Sequence, residues 1–259
     1  MTNEVIFPIS IVIPTVCRPE LIRCVRSIFS QTYENPIQIL IGVDKDLYLN
    51  SEDYKQLLTN ECPKHISISW IDLGYSTSQR HGGPHSCFFG GSLRTALSFL
   101  AQYEHVMYLD DDDWLHPDHL LSLSKYLPEY EWVFSYSIYA NSNASSGLFI
   151  DMIESVGVDK GLYKDSFGGF VRPSGLLINK IKLIHLLVIW SFSLSSKGDG
   201  EDRVFFSELR KHKGICTEGS TVYYSLDPND EAHNMRLNYL HKNNIKITGE
   251  IKNNSLRLI

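Results

Sequence analysis

Residues Ile9 to Pro14 read ISIVIP, an apolar run with no regular polar face. A strand with one face in water alternates apolar and polar residues. A run without that alternation is covered on both faces, as in a parallel sheet. The first half of the chain is built to supply that cover. Pro19 and Glu20 open a helix, with proline suited to its first turn. Leu21, Cys24, Val25, Ile28 and Phe29 recur at helical spacing and form its buried stripe. Ile37 to Val43 (IQILIGV) is a second strand that ends at Asp44. A polar helix near Glu52 to Leu58 and a third strand over Ile66 to Ile71 follow. Leu93, Ala96, Leu97, Leu100 and Ala101 mark the next helix, and Val106 to Leu109 the fourth strand. Pro117 opens and Pro128 closes a further helix, and Trp132 to Ile138 has strand periodicity. Strands and helices in this order imply an α/β fold with a mostly parallel central sheet flanked by helices.

Sheets of this kind bind ligands beyond the carboxyl ends of their strands. Thr15, Asp44 and the run Asp110, Asp111, Asp112, Asp113 each follow a strand directly. Three separate segments therefore deliver polar groups to one edge. The second half is less regular. Asn141 to Gly147 and Phe167 to Gly169 are turn-rich, and a helix is expected over Asn179 to Ile189. Glu201 to Lys211 reads as a helix after the small-residue loop Ser195 to Gly200, and Thr221 to Ser225 reads as a strand. One domain over 1–233 is expected, with halves 1–128 and 129–233. Residues 234–259 read as a polar basic tail, which carries Arg236, Lys242, Lys246, Lys252 and Arg257 against Glu250.

Net charge is -6 over 259 residues, which argues against nucleic acid as a partner, because phosphate backbones draw on a basic surface. Cys17, Cys24, Cys62, Cys87 and Cys216 contain no CxxC pair and are odd in number, which suits free thiols in a reducing compartment. The first residues lack a basic leader. The apolar stretch Ile181 to Leu194 is interrupted by Lys182 and His185 and is too short to span a bilayer. The expectation is a cytoplasmic protein, whose basic tail reads first as a loosely ordered solvated segment and alternatively as a contact for a partner protein or for anionic lipid at the inner membrane face.

Four consecutive aspartates repel one another by about 1 kcal/mol per pair at ~4 Å in water, and by more where water is partly excluded. A divalent cation relieves that repulsion. Carboxylate oxygens suit Mg²⁺ or Mn²⁺, in sites completed by substrate phosphates. The alternative is a solvated acidic turn. His233 stands as either a third metal ligand or a surface residue. Trp114 is a sugar-stacking or a core residue. The Gly74 to Gly90 stretch, with Arg80, His81 and His85, is either a closing loop or an ordinary one.

Residues Ile9 to Asp44 resemble the opening of a family 2 glycosyltransferase of the Rossmann-like GT-A fold. Gly90 to Leu120 (GGSLRTALSFLAQYEHVMYLDDDDWLHPDHL) resembles that family's helix, strand, DxD motif and following helix, and Gly200 to Leu209 (GEDRVFFSEL) its late acidic motif. The resemblance implies that Thr15 and Asp44 hold the nucleotide, that Arg94 faces it, and that Asp110 and Asp111 belong to the same donor site. It implies Asp112 as the direct metal ligand, with Asp110 nearer the ribose or a metal-bound water. Asp202 matches the catalytic base, with Glu201 second. Implied with these roles are Mn²⁺ or Mg²⁺, a nucleotide-sugar donor, commonly a UDP-sugar, and a saccharide or lipid-linked acceptor. Inversion at the anomeric carbon and a place in surface polysaccharide synthesis are implied as well. The sequence departs from the family in two places: Val16, Cys17, Arg18 stand where Tyr-Asn or Tyr-Asn-Arg is usual, and Arg94-Thr95 where Arg-Asn is usual. A sugar nucleotidyltransferase is the alternative enzyme. It favours a glycine-rich basic loop after the first strand, and Thr15 to Pro19 has one arginine and no glycine. A non-catalytic nucleotide-sugar-binding module is the third reading.

Overall fold

The computed structural model describes residues 7–141, 149–226 and 232–243. The expected order is present in the first half. Strand β1 (Ile9–Thr15) is followed by α1 (Leu21–Phe29), β2 (Ile37–Val43), α2 (Ser51–Glu61), β3 (Ile66–Asp72), α3 (Gly91–Leu100) and β4 (His105–Tyr108). All residues of β1, β2 and β4 are buried, as apolar runs without alternation require. These strands pair in parallel in the order β3-β2-β1-β4.

Residues of β1 serve the two faces in turn. Ile9, Ile11 and Ile13 pack with Leu21, Cys24, Val25 and Ile28 of α1 on one side. Val12 packs with Leu93 and Leu97 of α3 on the other. Gly42 of β2 leaves room for the side chains of α3, since a Cβ there would stand 2.7 Å from Leu97 Cδ1.

Beyond β4 the sheet changes character. The chain runs through β5 (Trp114–Leu115), α4 (His119–Ser124), β6 (Trp132–Asn141) and β7 (Phe149–Ile150). It continues through β8 (Gly157–Val158), α5 (Lys164–Phe167), β9 (Gly169–Phe170) and β10 (Leu177–Asn179). Strand β10 lies antiparallel between β4 and β6. Then come α6 (Glu201–Leu209), β11 (Gly214–Leu226) and α7 (Ala232–Lys242). Strand β11 runs parallel to β6 and pairs antiparallel with β5 at the sheet edge. Among the described residues nine strands form this one sheet, and β8 and β9 form a separate pair.

The helix expected over Asn179 to Ile189 is not formed as such. Asn179 ends β10, and its side-chain Oδ1 accepts from the amides of Ile181 and Lys182 at 3.2 and 3.1 Å, a local bond that competes with helix. A 3₁₀ segment, Ile184–Ser191, follows. Strand β11 is longer than Thr221 to Ser225, because it follows β6 through two register shifts that blur its periodicity. Residues 232–242 form a helix where the sequence shows little pattern. Its Arg236 is buried, with Nε 2.9 Å from Glu154. Each of the five cysteines is a free thiol. Among the described residues no helix is long and apolar enough to cross a membrane.

Candidate active site

The four aspartates leave β4 with their side chains divided. Asp111 and Asp113 are buried, at 5% and 1% exposure. Asp110 and Asp112 keep 29% and 34% of their side chains exposed. The run forms a turn, closed by the Asp113 amide donating to the Asp110 carbonyl at 3.2 Å, and this turn sends Asp111 and Asp113 inward and leaves Asp110 and Asp112 at the surface.

The buried pair holds the edge together. Asp111 Oδ2 accepts from the Thr15 hydroxyl at 2.6 Å, and Thr15 Oγ1 in turn accepts from the Cys17 amide at 2.8 Å. Asp113 Oδ1 accepts from the Ser225 amide on β11 at 2.8 Å. The exposed pair meets arginines. Arg18 Nη1 lies 2.7 Å from Asp112 Oδ2, and Arg18 Nε lies 3.2 Å from Asp111 Oδ1. Arg94 Nη2 pairs with Asp110 Oδ1. Partial burial, with the charges of Asp111 and Asp110 beside it, pushes the Asp112 carboxyl up to about 7, against the pull of Arg18.

Arg94 is itself buried. It is carried on the first turn of α3, after Gly90 in the left-handed region at φ 82, and donates to the Phe89 carbonyl at 2.8 Å. Its Nη1 also stands 3.6 Å from Glu201 Oε1 at the start of α6. One guanidinium thus links the aspartate run to the late acidic pair. Burial, with Asp202 beside it, pushes the Glu201 carboxyl up to about 7. Asp202 is more open, with 27% of its side chain exposed, and burial raises its carboxyl too. Its Oδ1 accepts from the Arg203 amide at 2.8 Å.

Asp44, after β2, is engaged by the loop that follows β3. It accepts from Ser76 Oγ, the Thr77 amide and Thr77 Oγ1, each at 2.7 Å, and faces His81 Nδ1 at 3.2 Å. Burial opposes its charge, but the bonds from Ser76, Thr77 and His81 outweigh that and hold the carboxyl below its usual range. The loop is also bonded to itself, from Gln79 N to His85 O at 2.8 Å and from His85 N to Thr77 O at 3.0 Å.

Thr15, Asp110, Asp111, Asp112, Arg94, Glu201 and Asp202 therefore gather at the carboxyl edge of β1 and β4. Asp44 stands beyond β2 at the same edge. His233 lies on α7, but its side chain is outside the described residues. Trp114 stacks on Tyr223 at 5.1 Å, carries the Arg23 guanidinium at 3.7 Å, and is buried, which fits the core reading and leaves no sugar-stacking surface. Sequence reasoning gave Arg18 no role. Its place in the loop directly after β1, beside Thr15, was the available signal.

Among the described residues no three His, Cys, Asp or Glu side chains gather into a metal cage. Mg²⁺ and Mn²⁺ do not need one, since one or two carboxylates plus substrate phosphates and water suffice. Asp110 and Asp112 fit that requirement, because each is partly exposed and its arginine pair uses one of its two oxygens.

No family model matches the chain, and no curated protein matches it in sequence. Its fold is that of GT-A type glycosyltransferases. The similar solved structures include S. aureus TarS 1-349 in complex with UDP-GlcNAc, with TM-score 0.61 and 12% identity, covering 86% of this chain and 60% of that one. TarS 1-349 in complex with UDP matches at TM-score 0.59 and 14% identity, over 89% of this chain and 64% of that one. The mannosyltransferase PcManGT from Pyrobaculum calidifontis, in complex with GDP-Man and Mn²⁺, matches at TM-score 0.58 and 13% identity, over 88% and 59%. This chain thus spans less than two thirds of the length of each.

Proposed function

We propose that the protein is an inverting, metal-dependent glycosyltransferase that moves a sugar from a nucleotide diphosphate, a UDP-sugar, to an acceptor hydroxyl. The observation that carries this reading is the double engagement of Arg94. It brings Asp110, at the end of β4, and the Glu201-Asp202 pair, at the start of α6, to one locus on the ligand-binding edge. The fold is shared with proteins solved with UDP-GlcNAc, UDP and GDP-Man, which supports a nucleotide-sugar donor.

Thr15 and Asp44 lie on the nucleotide side of this edge, with Asp111 beneath Thr15 as its hydrogen-bond partner. Asp112 and Asp110 would hold Mn²⁺ or Mg²⁺, which supplies charge neutralisation to the departing diphosphate. Asp202 accepts the proton of the acceptor hydroxyl as its oxygen bonds to the anomeric carbon and the bond from that carbon to the diphosphate breaks. Burial raises its carboxyl above the usual aspartate range, which strengthens it as a proton acceptor. Glu201 is buried against Arg94 and keeps that guanidinium in place. The acceptor is a saccharide or lipid-linked hydroxyl of surface polysaccharide synthesis, met at the inner face of the cytoplasmic membrane.

The test is a panel of UDP- and GDP-sugars with Mn²⁺, read by thermal shift and by release of the nucleoside diphosphate. A hit that needs both the sugar nucleotide and the cation supports the reading. Failure of every activated sugar to stabilise the protein or turn over sinks it.

A further inference from the structure

The Arg18 guanidinium already stands where a cation for the aspartate run belongs. It forks across two carboxylates, with Nη1 2.7 Å from Asp112 Oδ2 and Nε 3.2 Å from Asp111 Oδ1. Three features make this more than a surface ion pair. The loop that presents it is shaped for the purpose: Cys17 sits at φ 60, an uncommon conformation for a residue with a side chain, and its amide is held by Thr15 Oγ1 at 2.8 Å. Asp111 is buried and fixed from its other oxygen by Thr15, so one side of the fork is rigid. Arg18 Nε is buried beside Asp111 Oδ1, an ion-pair contact without good hydrogen-bond alignment, so the guanidinium can turn on that contact. About one third of the side chain remains open to solvent, at 36% exposure.

We propose that Arg18 is the resident counter-ion of Asp112, competing with a divalent cation for that carboxylate and turning to the donor's diphosphate when the cation takes it. The inference rests on the proposed donor class and concerns how this site balances its charge. Asp110 is paired with Arg94 and Asp112 with Arg18, so the run of acids is partly neutralised before any metal arrives. A cation binding Asp112 through both oxygens must displace Arg18 from Oδ2. The freed guanidinium is still tethered through Nε to Asp111, beside the diphosphate, where its planar donors suit phosphate oxygens. Two consequences follow. Metal binding to the free protein is weaker than the bare carboxylates allow, and nucleoside diphosphate retains affinity when metal is removed.

The experiment titrates Mn²⁺ into the protein without nucleotide, by electron paramagnetic resonance of the free ion, for wild type, Arg18→Ala, Arg18→Gln and Asp112→Asn. UDP binding is then measured by calorimetry with Mn²⁺ and with EDTA. Both Arg18 variants are expected to bind Mn²⁺ about tenfold tighter than wild type, the size of one charge-assisted contact removed from competition. Asp112→Asn is expected to abolish that gain when combined with either. Both Arg18 variants are expected to lose about tenfold in UDP affinity in EDTA. Thermal melts establish that each variant is folded, and Arg18→Gln keeps a hydrogen-bond donor for Asp111 if the alanine variant is not. Unchanged or weaker Mn²⁺ affinity in a folded Arg18 variant overturns the proposal. The Mn²⁺ titration uses no donor, so it judges Arg18 even if UDP binds to no variant, a result that counts against the glycosyltransferase reading instead.

Discussion

Arg94 and Glu201 meet at 3.6 Å inside the protein, each with about 5% of its side chain exposed. They come from helices more than a hundred residues apart, and their pairing links the start of α6 to α3 at the aspartate edge. Burial pushes the Glu201 carboxyl up to about 7 from 4.5, with Asp202 adding to the push and Arg94 resisting it. A raised carboxyl in the folded state means that the folded chain holds this proton more tightly than the unfolded one. The stability it contributes is present below the ordinary carboxylate range and is lost as pH rises through about 7. The melting temperature without added cation should therefore fall between about pH 5 and about pH 8, and Glu201→Gln should flatten part of that fall. An identical slope in the variant would place the titrating group elsewhere.

Asp202 differs from its neighbour in being open. Replacing it with asparagine keeps its shape and the bond from the Arg203 amide while removing the proton acceptor. Turnover should drop by roughly 10²–10⁴, the usual contribution of a general base. Nucleotide affinity should stay within about twofold, since uniform binding does not depend on that proton. Single-turnover assays beside calorimetry check both. Retained turnover removes Asp202 from the role of base.

Much of the fold could be read from apolar runs alone. The burial of β1, β2 and β4 on both faces is written in ISIVIP, IQILIGV and the residues before Asp110. The mixed half was less legible for physical reasons. Strand β10 is three residues long and ends at an asparagine whose side chain starts a turn. A 3₁₀ segment then exposes Ile184 and Val188 while burying Leu186 and Leu187, so no amphipathic stripe marks it. In the site, the aspartate run was visible, but the division into exposed Asp110 and Asp112 and buried Asp111 and Asp113 needed the turn of the backbone. The partners Arg18, Ser76 and Thr77 come from distant loops, and spacing along a chain does not encode such pairings.

That division predicts two different failures. Asp113→Ala leaves the Ser225 amide without its acceptor at the junction with β11 and should lower stability by about 1–3 kcal/mol in urea unfolding. Asp112→Asn disturbs a partly exposed pair and should cost roughly 1 kcal/mol or less, while weakening Mn²⁺ binding strongly. Unfolding curves and Mn²⁺ titrations on both variants separate the roles. Equal loss of stability in the two would show that the exposed and buried acids are not distinct.

Asp44 is the anchor of the loop after β3, and its removal should free that loop. Three bonds at 2.7 Å, from Ser76 Oγ, the Thr77 amide and Thr77 Oγ1, converge on its two oxygens, with His81 Nδ1 at 3.2 Å. Asp44→Ala strands these donors, of which Ser76 and Thr77 are buried, at a local cost of roughly 1–3 kcal/mol. Arg80 lies exposed within the same loop, so trypsin reports its opening. Where closing is fast, cleavage follows the open population, and the variant should be cut after Arg80 roughly 10–100 times faster than wild type. The pH dependence has the opposite sign to that of Glu201. The Asp44 carboxyl is held below its usual value, so its contribution is present above the ordinary carboxylate range and is lost as pH falls through its depressed folded value. Protection of the 76–81 amides in hydrogen exchange should therefore persist from neutral pH down to about 4 in the wild type and be weak throughout in the alanine variant. Unchanged cleavage and exchange would mean that the loop's internal bonds, from Gln79 N to His85 O and from His85 N to Thr77 O, hold it without Asp44.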